Sequence, residues 1–180
     1  MGYLATHFNQ NLVRTCLAVT LTMLCLVACG EKAASTDEQP ILAFDAADIR
    51  LASDSDTVRI RAELALTNDQ KMVGLMDRNG LAENAGMVFV YDSTQPPAAG
   101  FWMYRTRIPL DIAFGDSAGV IRAILRMDPC ETTIPQGCPS YPPNVPYRYA
   151  LEVNAGFFAA RGINVGWRLM LEDLPPRSGS

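Results

Sequence analysis

Alternating apolar and polar residues predict several strands that each have one buried face. In residues 57–66, apolar side chains stand at every second position with charged ones between them, and the same period recurs in residues 121–127 and 147–153. A period of two is typical of a strand that packs one face on a core and exposes the other face to water. These segments therefore predict a sheet whose strands run mainly antiparallel.

Two further segments place particular residues within that sheet. Residues 86–91 are apolar on both faces, which favours a central strand that is covered on both sides. Leu110, Ile112 and Phe114 stand at every second position and occupy one face of another predicted strand. Asp111 therefore points to the opposite face of that strand.

Two short helices complete the expected fold. Thr67 and Gln70 have the spacing of a capping box, in which a hydroxyl and an amide satisfy backbone donors at the start of a helix. This helix should extend to about Met76 and direct Met72, Leu75 and Met76 at the sheet. A second short helix is predicted at residues 157–161. The expected fold class is α+β: a mainly antiparallel sheet, barrel-like or sandwich-like, with two short helices.

The N-terminal segment has the features of an exported lipoprotein. Arg14 precedes an uncharged run at residues 15–30, and this run contains Leu26-Val27-Ala28-Cys29. A basic start, an apolar centre and small residues at the end are typical of a signal peptide, and Leu-x-Ala-Cys resembles the bacterial lipobox. We therefore expect residues 1–28 to be removed and Cys29 to be acylated. An uncleaved anchor is less favoured, because a spanning helix needs roughly 18 or more apolar residues.

The expected lipid on Cys29 determines the domain organisation and the location. Residues 29–40 are polar and lack an apolar period, so we expect them to form a tether. Residues 41–174 are long enough for one domain with its own core, and residues 175–180 form a tail. Two or more acyl chains suffice for stable membrane attachment. We expect the domain on the periplasmic side of the cell envelope, at the outer membrane, because Gly30 instead of an Asp follows the acylated residue.

The composition excludes several classes of function. The formal net charge is −4, or −5 once Arg14 is removed, so no basic surface is available for nucleic acid. The one histidine is His7, within the predicted signal peptide, so Ser-His-Asp, Cys-His and histidine-zinc sites are excluded from the mature chain. We predict no metal and no cofactor. Cys130 and Cys138 remain beside the lipidated Cys29, and in an exported chain we expect them to form a disulfide.

Seven motifs stand in an order that resembles the DUF192 family, within residues 57–171. They are Gly74-Leu75-Met76-Asp77-Arg78, Gly86-Met87-Val88-Phe89-Val90, Phe101-Trp102-Met103, Thr106, Ile108-Pro109-Leu110-Asp111-Ile112, Cys138-Pro139-Ser140-Tyr141 and Leu151-Glu152-Val153-Asn154-Ala155-Gly156. The resemblance implies a small β-rich domain, usually secreted or membrane-tethered, without an established activity. The family usually has Lys-Asn after Phe-Trp-Met, where this chain has Tyr104-Arg105. A ligand contact at that pair would therefore differ from the family's.

Arg78 and Asp111 are the first candidates for a binding site. We expect the two side chains to meet across the sheet as a bidentate ion pair, which either forms the polar floor of a ligand site or only clamps the structure. Trp102 either forms an aromatic platform with Phe101 and Tyr104, for a sugar ring or a cation, or belongs to the core. Arg105 is the remaining candidate on this segment.

Two further residues extend the candidate site. Glu152 either forms a carboxylate pair with Asp111, as in glycoside hydrolases, or makes a surface ion pair with Arg148 on the same strand face. Tyr141 follows Cys138-Pro139-Ser140 and either lines the mouth of a pocket or pins the loop to the sheet.

Three functions are compatible with these residues. The leading hypothesis is a non-enzymatic envelope module that binds a small polar or carbohydrate-like ligand near Arg78, Trp102, Asp111 and Tyr141. One alternative is a carboxylate-dependent hydrolase that uses Asp111 and Glu152. The other alternative is a protein-interaction module in envelope assembly.

Overall fold

The computed structural model describes residues 42–132 and 134–171, all within the unit Ile41–Ser180. The predicted signal peptide, the predicted acylation site at Cys29, the predicted tether and the predicted tail at residues 175–180 lie outside the described residues. Within the described ranges, no helix has the length and apolar character needed to cross a membrane.

The described residues form nine strands and two short α-helices. The strands are β1 (Ala46–Ala52), β2 (Thr57–Ala65), β3 (Ala85–Gln95), β4 (Phe101–Trp102), β5 (Leu110–Gly115), β6 (Ile121–Met127), β7 (Ser140–Tyr141), β8 (Tyr147–Asn154) and β9 (Arg168–Met170). The helices are α1 (Asn68–Val73) and α2 (Phe157–Ala160), and a 3-10 turn spans Pro135–Gly137. The predicted α+β class, with a mainly antiparallel sheet and two short helices, is confirmed.

Seven strands form one sheet in the order β6-β5-β8-β3-β2-β1-β9, and β4 pairs with β7 in a separate ribbon. All neighbours in the large sheet are antiparallel except β2 and β3, which run parallel and are connected through α1. A bridge between Val120 and Arg168 and a few backbone hydrogen bonds between residues 119–121 and 166–169 connect the two ends of the sheet, yet the sheet is not closed into a barrel. The middle strand is β3, which has β8 and β2 on its two sides, so the central strand predicted at residues 86–91 is confirmed. Strand β8 is also internal and lies between β3 and β5.

The large sheet is covered on both faces, so the chain has two apolar clusters. The first cluster, termed the α2 face, packs Phe157 and Phe158 of α2 against alternate residues of the strands. The second cluster, termed the Trp102 face because Trp102 lies beside it, packs Phe101 and Met103 against the other set. This second set contains the following residues: Met87, Phe89, Leu110, Ile112 and Phe114. The predicted face of β5 is therefore correct.

Helix α1 begins where the sequence predicts and ends early. Thr67 accepts a hydrogen bond from the Gln70 backbone N–H at 3.2 Å, and the Gln70 side chain accepts one from the Thr67 N–H at 2.9 Å. The helix stops at Gly74, which has a φ of 48° and whose Cβ, if present, would lie 3.3 Å from the Phe89 ring. The predicted packing of Met72 on the sheet is wrong, since its side chain is 64% exposed, whereas Leu75, just beyond the helix, is 2% exposed and packs into the cluster of the Trp102 face.

The predicted disulfide between Cys130 and Cys138 is confirmed, with a Cα–Cα distance of 5.8 Å. Cys130 also holds the segment that follows β4. Its carbonyl accepts a hydrogen bond from the Arg105 N–H at 3.0 Å, and its own N–H donates to the Thr106 carbonyl at 3.3 Å. A covalently closed loop therefore supports the backbone at Arg105.

Candidate functional site

Arg78 does not meet Asp111. Its two terminal nitrogens donate hydrogen bonds to the two carboxylate oxygens of Glu63 at 2.6 and 2.5 Å. The hydrogen bond with Glu63 raises the pKa of Arg78. Partial burial of the guanidinium group lowers this pKa, but the effect of the hydrogen bond is larger. The predicted bidentate pair exists with another partner, because α1 packs beside β2, the strand that carries Glu63. The prediction of an Arg78–Asp111 couple is wrong.

Asp111 lies on the α2 face and fixes the entry to α2. Its Oδ2 accepts a hydrogen bond from the Gly156 N–H at 2.7 Å, and its Oδ1 lies 3.6 Å from Arg126 Nη1. Gly156 has a φ of 85°, a left-handed conformation that glycine adopts without strain. The carboxylate therefore holds a tight turn in place, and the structural interpretation of Asp111 is the one that its contacts support.

We predict that Asp111→Ala destabilises the protein without affecting a ligand site on the opposite face. Removing the carboxylate leaves the Gly156 N–H without its acceptor, which should cost about 1–3 kcal/mol of unfolding free energy. Asp111→Asn keeps an acceptor oxygen, so it should lose less. Urea denaturation of the three proteins measures the difference, and equal stability of Asp111→Ala and wild type would contradict this role.

Glu152 and Asp111 lie on opposite faces of the sheet. In the β5–β8 register, Asp111 pairs with Val153 and Ile112 pairs with Glu152, and paired side chains share a face. Asp111 is therefore on the α2 face and Glu152 on the Trp102 face. Two carboxylates separated by a sheet cannot flank one scissile bond, so the predicted catalytic pair is wrong.

The predicted surface pair between Glu152 and Arg148 is also wrong. Glu152 is only 4% exposed, and Arg148 Nε instead donates a hydrogen bond to the Tyr91 carbonyl at 3.1 Å. Burial raises the pKa of Glu152 from 4.5 to about 8. Among the described residues, no group forms a hydrogen bond or an ion pair with its carboxyl.

Trp102 is exposed and contacts Tyr104. Phe101 and Met103 point into the core, while 41% of Trp102 remains accessible to solvent. The ring centroids of Trp102 and Tyr104 lie 5.6 Å apart at 38°. Alternation in an extended segment places these two rings on the same side, away from Phe101 and Met103. The core interpretation of Trp102 is therefore wrong, and the two rings form a partly open aromatic surface.

Next to this surface lies a pocket of about 410 Å³, termed the arginine shelf. Its lining consists of the following residues: Asp77, Tyr104, Arg105, Arg107, Glu131 and Thr132. Both arginines contact the Asp77 carboxylate: Arg105 donates through Nε at 3.2 Å and through Nη2, and Arg107 donates through Nη2 at 3.3 Å. Arg107 also donates to Asn79 at 2.9 Å. The shelf thus presents guanidinium groups and carboxylates side by side.

The backbone below the arginine shelf is held in a sparsely populated conformation. Asp77 has a φ of 60° and Arg105 a φ of 56°, although neither is a glycine. The Asp77 N–H donates to the Arg105 carbonyl at 2.8 Å, and the Arg105 N–H donates to the Cys130 carbonyl. Such conformations cost free energy and persist where surrounding contacts enforce them, often at binding sites.

Tyr141 supports this region without lining the arginine shelf. It pairs with Phe101 in the β4–β7 ribbon, and its hydroxyl accepts a hydrogen bond from the Asp128 N–H at 3.2 Å. These contacts favour the interpretation in which Tyr141 pins the loop.

Tyr104 and Arg105 were predicted from the sequence, but Asp77, Arg107 and Glu131 were missed. Asp77 meets Arg105 and Arg107 across 28 and 30 residues of chain, which sequence spacing does not reveal, and Glu131 joins them only as part of the pocket lining. The one signal in the sequence was that Tyr104-Arg105 replaces the Lys-Asn usual in the family. Within the described residues, no three acidic, histidine or cysteine side chains are grouped so that they could hold a metal ion.

The fold and the shelf define a class of protein: a small domain with one open, mainly antiparallel sheet and a polar surface pocket on the Trp102 face. The chain belongs to the DUF192 family, described as "Uncharacterized ACR", whose profile matches residues 49–171. No curated protein matches the chain.

Two solved structures are similar to this chain. One is a candidate transcription regulator from Sinorhizobium meliloti 1021, with 33% identity and a TM-score of 0.61, and the match covers 71% of this chain and 95% of that one. The other is a protein of unknown function from Novosphingobium aromaticivorans DSM 12444, with 30% identity, a TM-score of 0.61, and coverage of 73% and 89%.

Proposed function

We propose that this protein is a lipid-anchored envelope protein whose domain binds a small, polar, carbohydrate-like ligand on the arginine shelf, without catalysing a reaction on it. The observation that carries the ligand proposal is the shelf itself. An open pocket of about 410 Å³ combines two guanidinium groups, two carboxylates and a tyrosine beside an exposed tryptophan. Its volume lies within the range of roughly 300–1,000 Å³ that small-molecule sites occupy.

The chemistry of the arginine shelf favours a neutral polyhydroxyl ligand. A sugar hydroxyl both donates and accepts hydrogen bonds, so it matches a surface where Arg105 and Arg107 donate and Asp77 and Glu131 accept. The two carboxylates would repel a simple anion, and the two guanidinium groups would repel a simple cation. The faces of Tyr104 and Trp102 add an apolar surface that suits the C–H face of a sugar ring.

Calorimetry and thermal shift of the full-length protein in mild detergent test this proposal with glucose, galactose and N-acetylglucosamine as probes. We expect at least one probe to bind and to raise the melting temperature. Tyr104→Ala should weaken binding by roughly tenfold or more, since aromatic groups at the centre of a site are commonly worth above 1 kcal/mol. Arg107→Gln should weaken it as well, because it removes donors.

Arg61→Gln is the matched control for Arg107→Gln. Arg61 is also exposed and also pairs with a single aspartate, Asp48, at 3.4 Å, but it is not part of the shelf. We expect this variant to bind as the wild type does. The ligand proposal is rejected if none of the sugars binds, or if Arg61→Gln and Arg107→Gln lose the same affinity.

The proposed anchor rests on the sequence signals at Arg14, at Leu26-Val27-Ala28 and at Cys29. Growth with labelled palmitate should label the wild-type protein and shift it to the membrane fraction. Cys29→Ser should abolish both effects, whereas Cys25→Ser, which replaces a cysteine inside the predicted signal peptide, should not. Label that persists in Cys29→Ser would contradict the anchor.

A further inference from the structure

Glu152 is a buried acid without a hydrogen-bond partner on an internal strand of the sheet. It lies on β8 between Met87 of β3 and Ile112 of β5 and is 4% exposed. No described residue donates a hydrogen bond to it. Transfer of an unpaired charge from water to an apolar site is strongly unfavourable, so burial of Glu152 favours the protonated acid. A carboxyl in this position destabilises the fold, and Glu152 does not line the arginine shelf.

The carboxyl opens into a small cavity of about 20 Å³. The cavity lies between the end of α1, the Phe101–Trp102 strand and Thr106. In the described part of the chain, every fully buried side-chain nitrogen or oxygen has a hydrogen-bond partner. Because Glu152 has none, its oxygens must face this cavity. A cavity of this size holds one group as large as a water molecule.

The walls of the cavity favour a cation over an anion. Phe89, Phe101 and Trp102 contribute aromatic rings to its lining. The face of an aromatic ring attracts a positive charge through its quadrupole, and a carboxylate supplies the opposite charge. With one carboxyl and no second or third acid, the cavity lacks the ligands that a metal ion requires.

Other titratable groups around Glu152 do not neutralise it. Lys71 also lines the cavity, but its ammonium donates a hydrogen bond to the Leu66 carbonyl at 2.7 Å and lies 5.0 Å from the centroid of the Tyr91 ring. Burial raises the pKa of Tyr91, with smaller contributions from Tyr147 and Glu152, and burial also raises the pKa of Tyr147. Both tyrosines therefore stay uncharged at neutral pH.

The mouth of the cavity is apolar and exposed. Met72 is 64% and Val73 is 40% exposed on the last turn of α1, and Trp102 is 41% exposed on the other side. An alkyl chain that leaves the cavity would cover these side chains and remove apolar surface from water. The cavity therefore combines a polar end for one small group with an apolar exit.

We propose that the Glu152 cavity is a binding site for the ammonium group of a primary alkylamine, whose alkyl chain lies between α1 and Trp102. The amine enters as R–NH₃⁺. The Glu152 carboxylic acid releases its proton to solvent and becomes a carboxylate, which accepts a hydrogen bond from the ammonium. No covalent bond forms, and one proton leaves for each amine bound. This site is separate from the arginine shelf, and the two sites are testable independently.

Calorimetry with n-butylamine and the full-length protein tests the inference at pH 7 in phosphate and in MOPS buffers. The two buffers differ in ionisation enthalpy, so the difference in observed heat gives the number of protons released. We expect saturable binding with release of close to one proton. Butan-1-ol, which has the same chain without the charge, should not bind. Glu152→Gln should bind butylamine at least roughly tenfold more weakly and release no proton.

The matched control is Glu83→Gln, which removes one exposed carboxylate outside the cavity. It should bind butylamine as the wild type does, which excludes a general effect of net charge. The inference is overturned if the wild type does not bind butylamine, if Glu152→Gln binds it with unchanged affinity, or if no proton is released. Loss of sugar binding in Tyr104→Ala with intact butylamine binding would confirm that the sites are distinct.

Discussion

Replacing Glu152 with glutamine is expected to stabilise the protein more and more as the pH rises from about 5 to 9. In the folded protein burial raises the pKa of Glu152 from 4.5 to about 8. The folded state therefore holds a proton between these values that the unfolded state has released, and the stability of the wild type falls with rising pH in this range. Above pH 8 both states are ionised and the loss is complete.

The expected size of this effect is large. One pKa unit corresponds to about 1.4 kcal/mol, so the full shift of Glu152 corresponds to roughly 4–5 kcal/mol of unfolding free energy. Glutamine has a similar shape and no titratable proton, so Glu152→Gln should not show this loss. Urea denaturation of both proteins at pH 5, 7 and 9 measures the difference.

Glu83→Gln serves as the control for this series, because it makes the same change of side chain at a carboxylate that is 84% exposed. Its stability should follow the wild type at all three pH values. A constant difference between Glu152→Gln and wild type from pH 5 to pH 9 would show that Glu152 does not titrate as a buried acid.

The second large effect is expected at Gly86, where two backbones approach closely. A Cβ added to Gly86 of β3 would lie 2.7 Å from the Glu152 carbonyl oxygen, and it would also lie 3.1 Å from the Val153 side chain. Real Cβ atoms essentially never come this close to a backbone oxygen. Because β3 is hydrogen-bonded to β2 on one side and to β8 on the other, neither strand can move away without breaking the sheet.

Gly86→Ala should therefore lose about 2–4 kcal/mol of unfolding free energy, despite the small gain that alanine brings by restricting the unfolded chain. Gly80→Ala is the matched control, since nothing lies within 4 Å of its added Cβ. That variant should be as stable as the wild type or slightly more stable. Similar stabilities of the two variants in urea would mean that β3 and β8 are not packed this closely.

The strands were predictable because their pattern is local. The period of two in β2, β6 and β8 follows from the pleat of a strand, and it identified these elements and the side of β5 on which Asp111 lies. The capping box at Thr67 is also a local signal and was confirmed.

The burial of Glu152 could not be derived from its own strand. A charged residue that alternates with apolar residues along a strand predicts a solvent-exposed face only if no other part of the chain covers that face. Here β8 is an internal strand between β5 and β3, and the Phe101 segment and the end of α1 cover the side that carries Glu152. The covering segment is distant in sequence, so the alternation that correctly placed β8 gave the wrong environment for this residue.

The partners of the arginines could not be predicted for a similar reason. Arg78 pairs with Glu63 because α1 packs beside β2. The Arg105 side chain pairs with the Asp77 carboxylate, and a hydrogen bond from the Asp77 N–H to the Arg105 carbonyl joins the two loops. Sequence spacing contains no information on which loops meet. The sequence indicated which residues have the chemistry of a binding site, and the structure showed which of them lie together.

The central claim is that ligands are recognised on the Trp102 face and not at Asp111. The chain has two tryptophans, Trp102 and Trp167, so a ¹H–¹⁵N spectrum of the full-length protein contains two indole signals. Titration with glucose, galactose and N-acetylglucosamine should shift the Trp102 indole and the Arg105 amide, with the Gly156 amide and the Trp167 indole unchanged. Shifts centred on Gly156, or no shifts with any of the three sugars, would contradict the account.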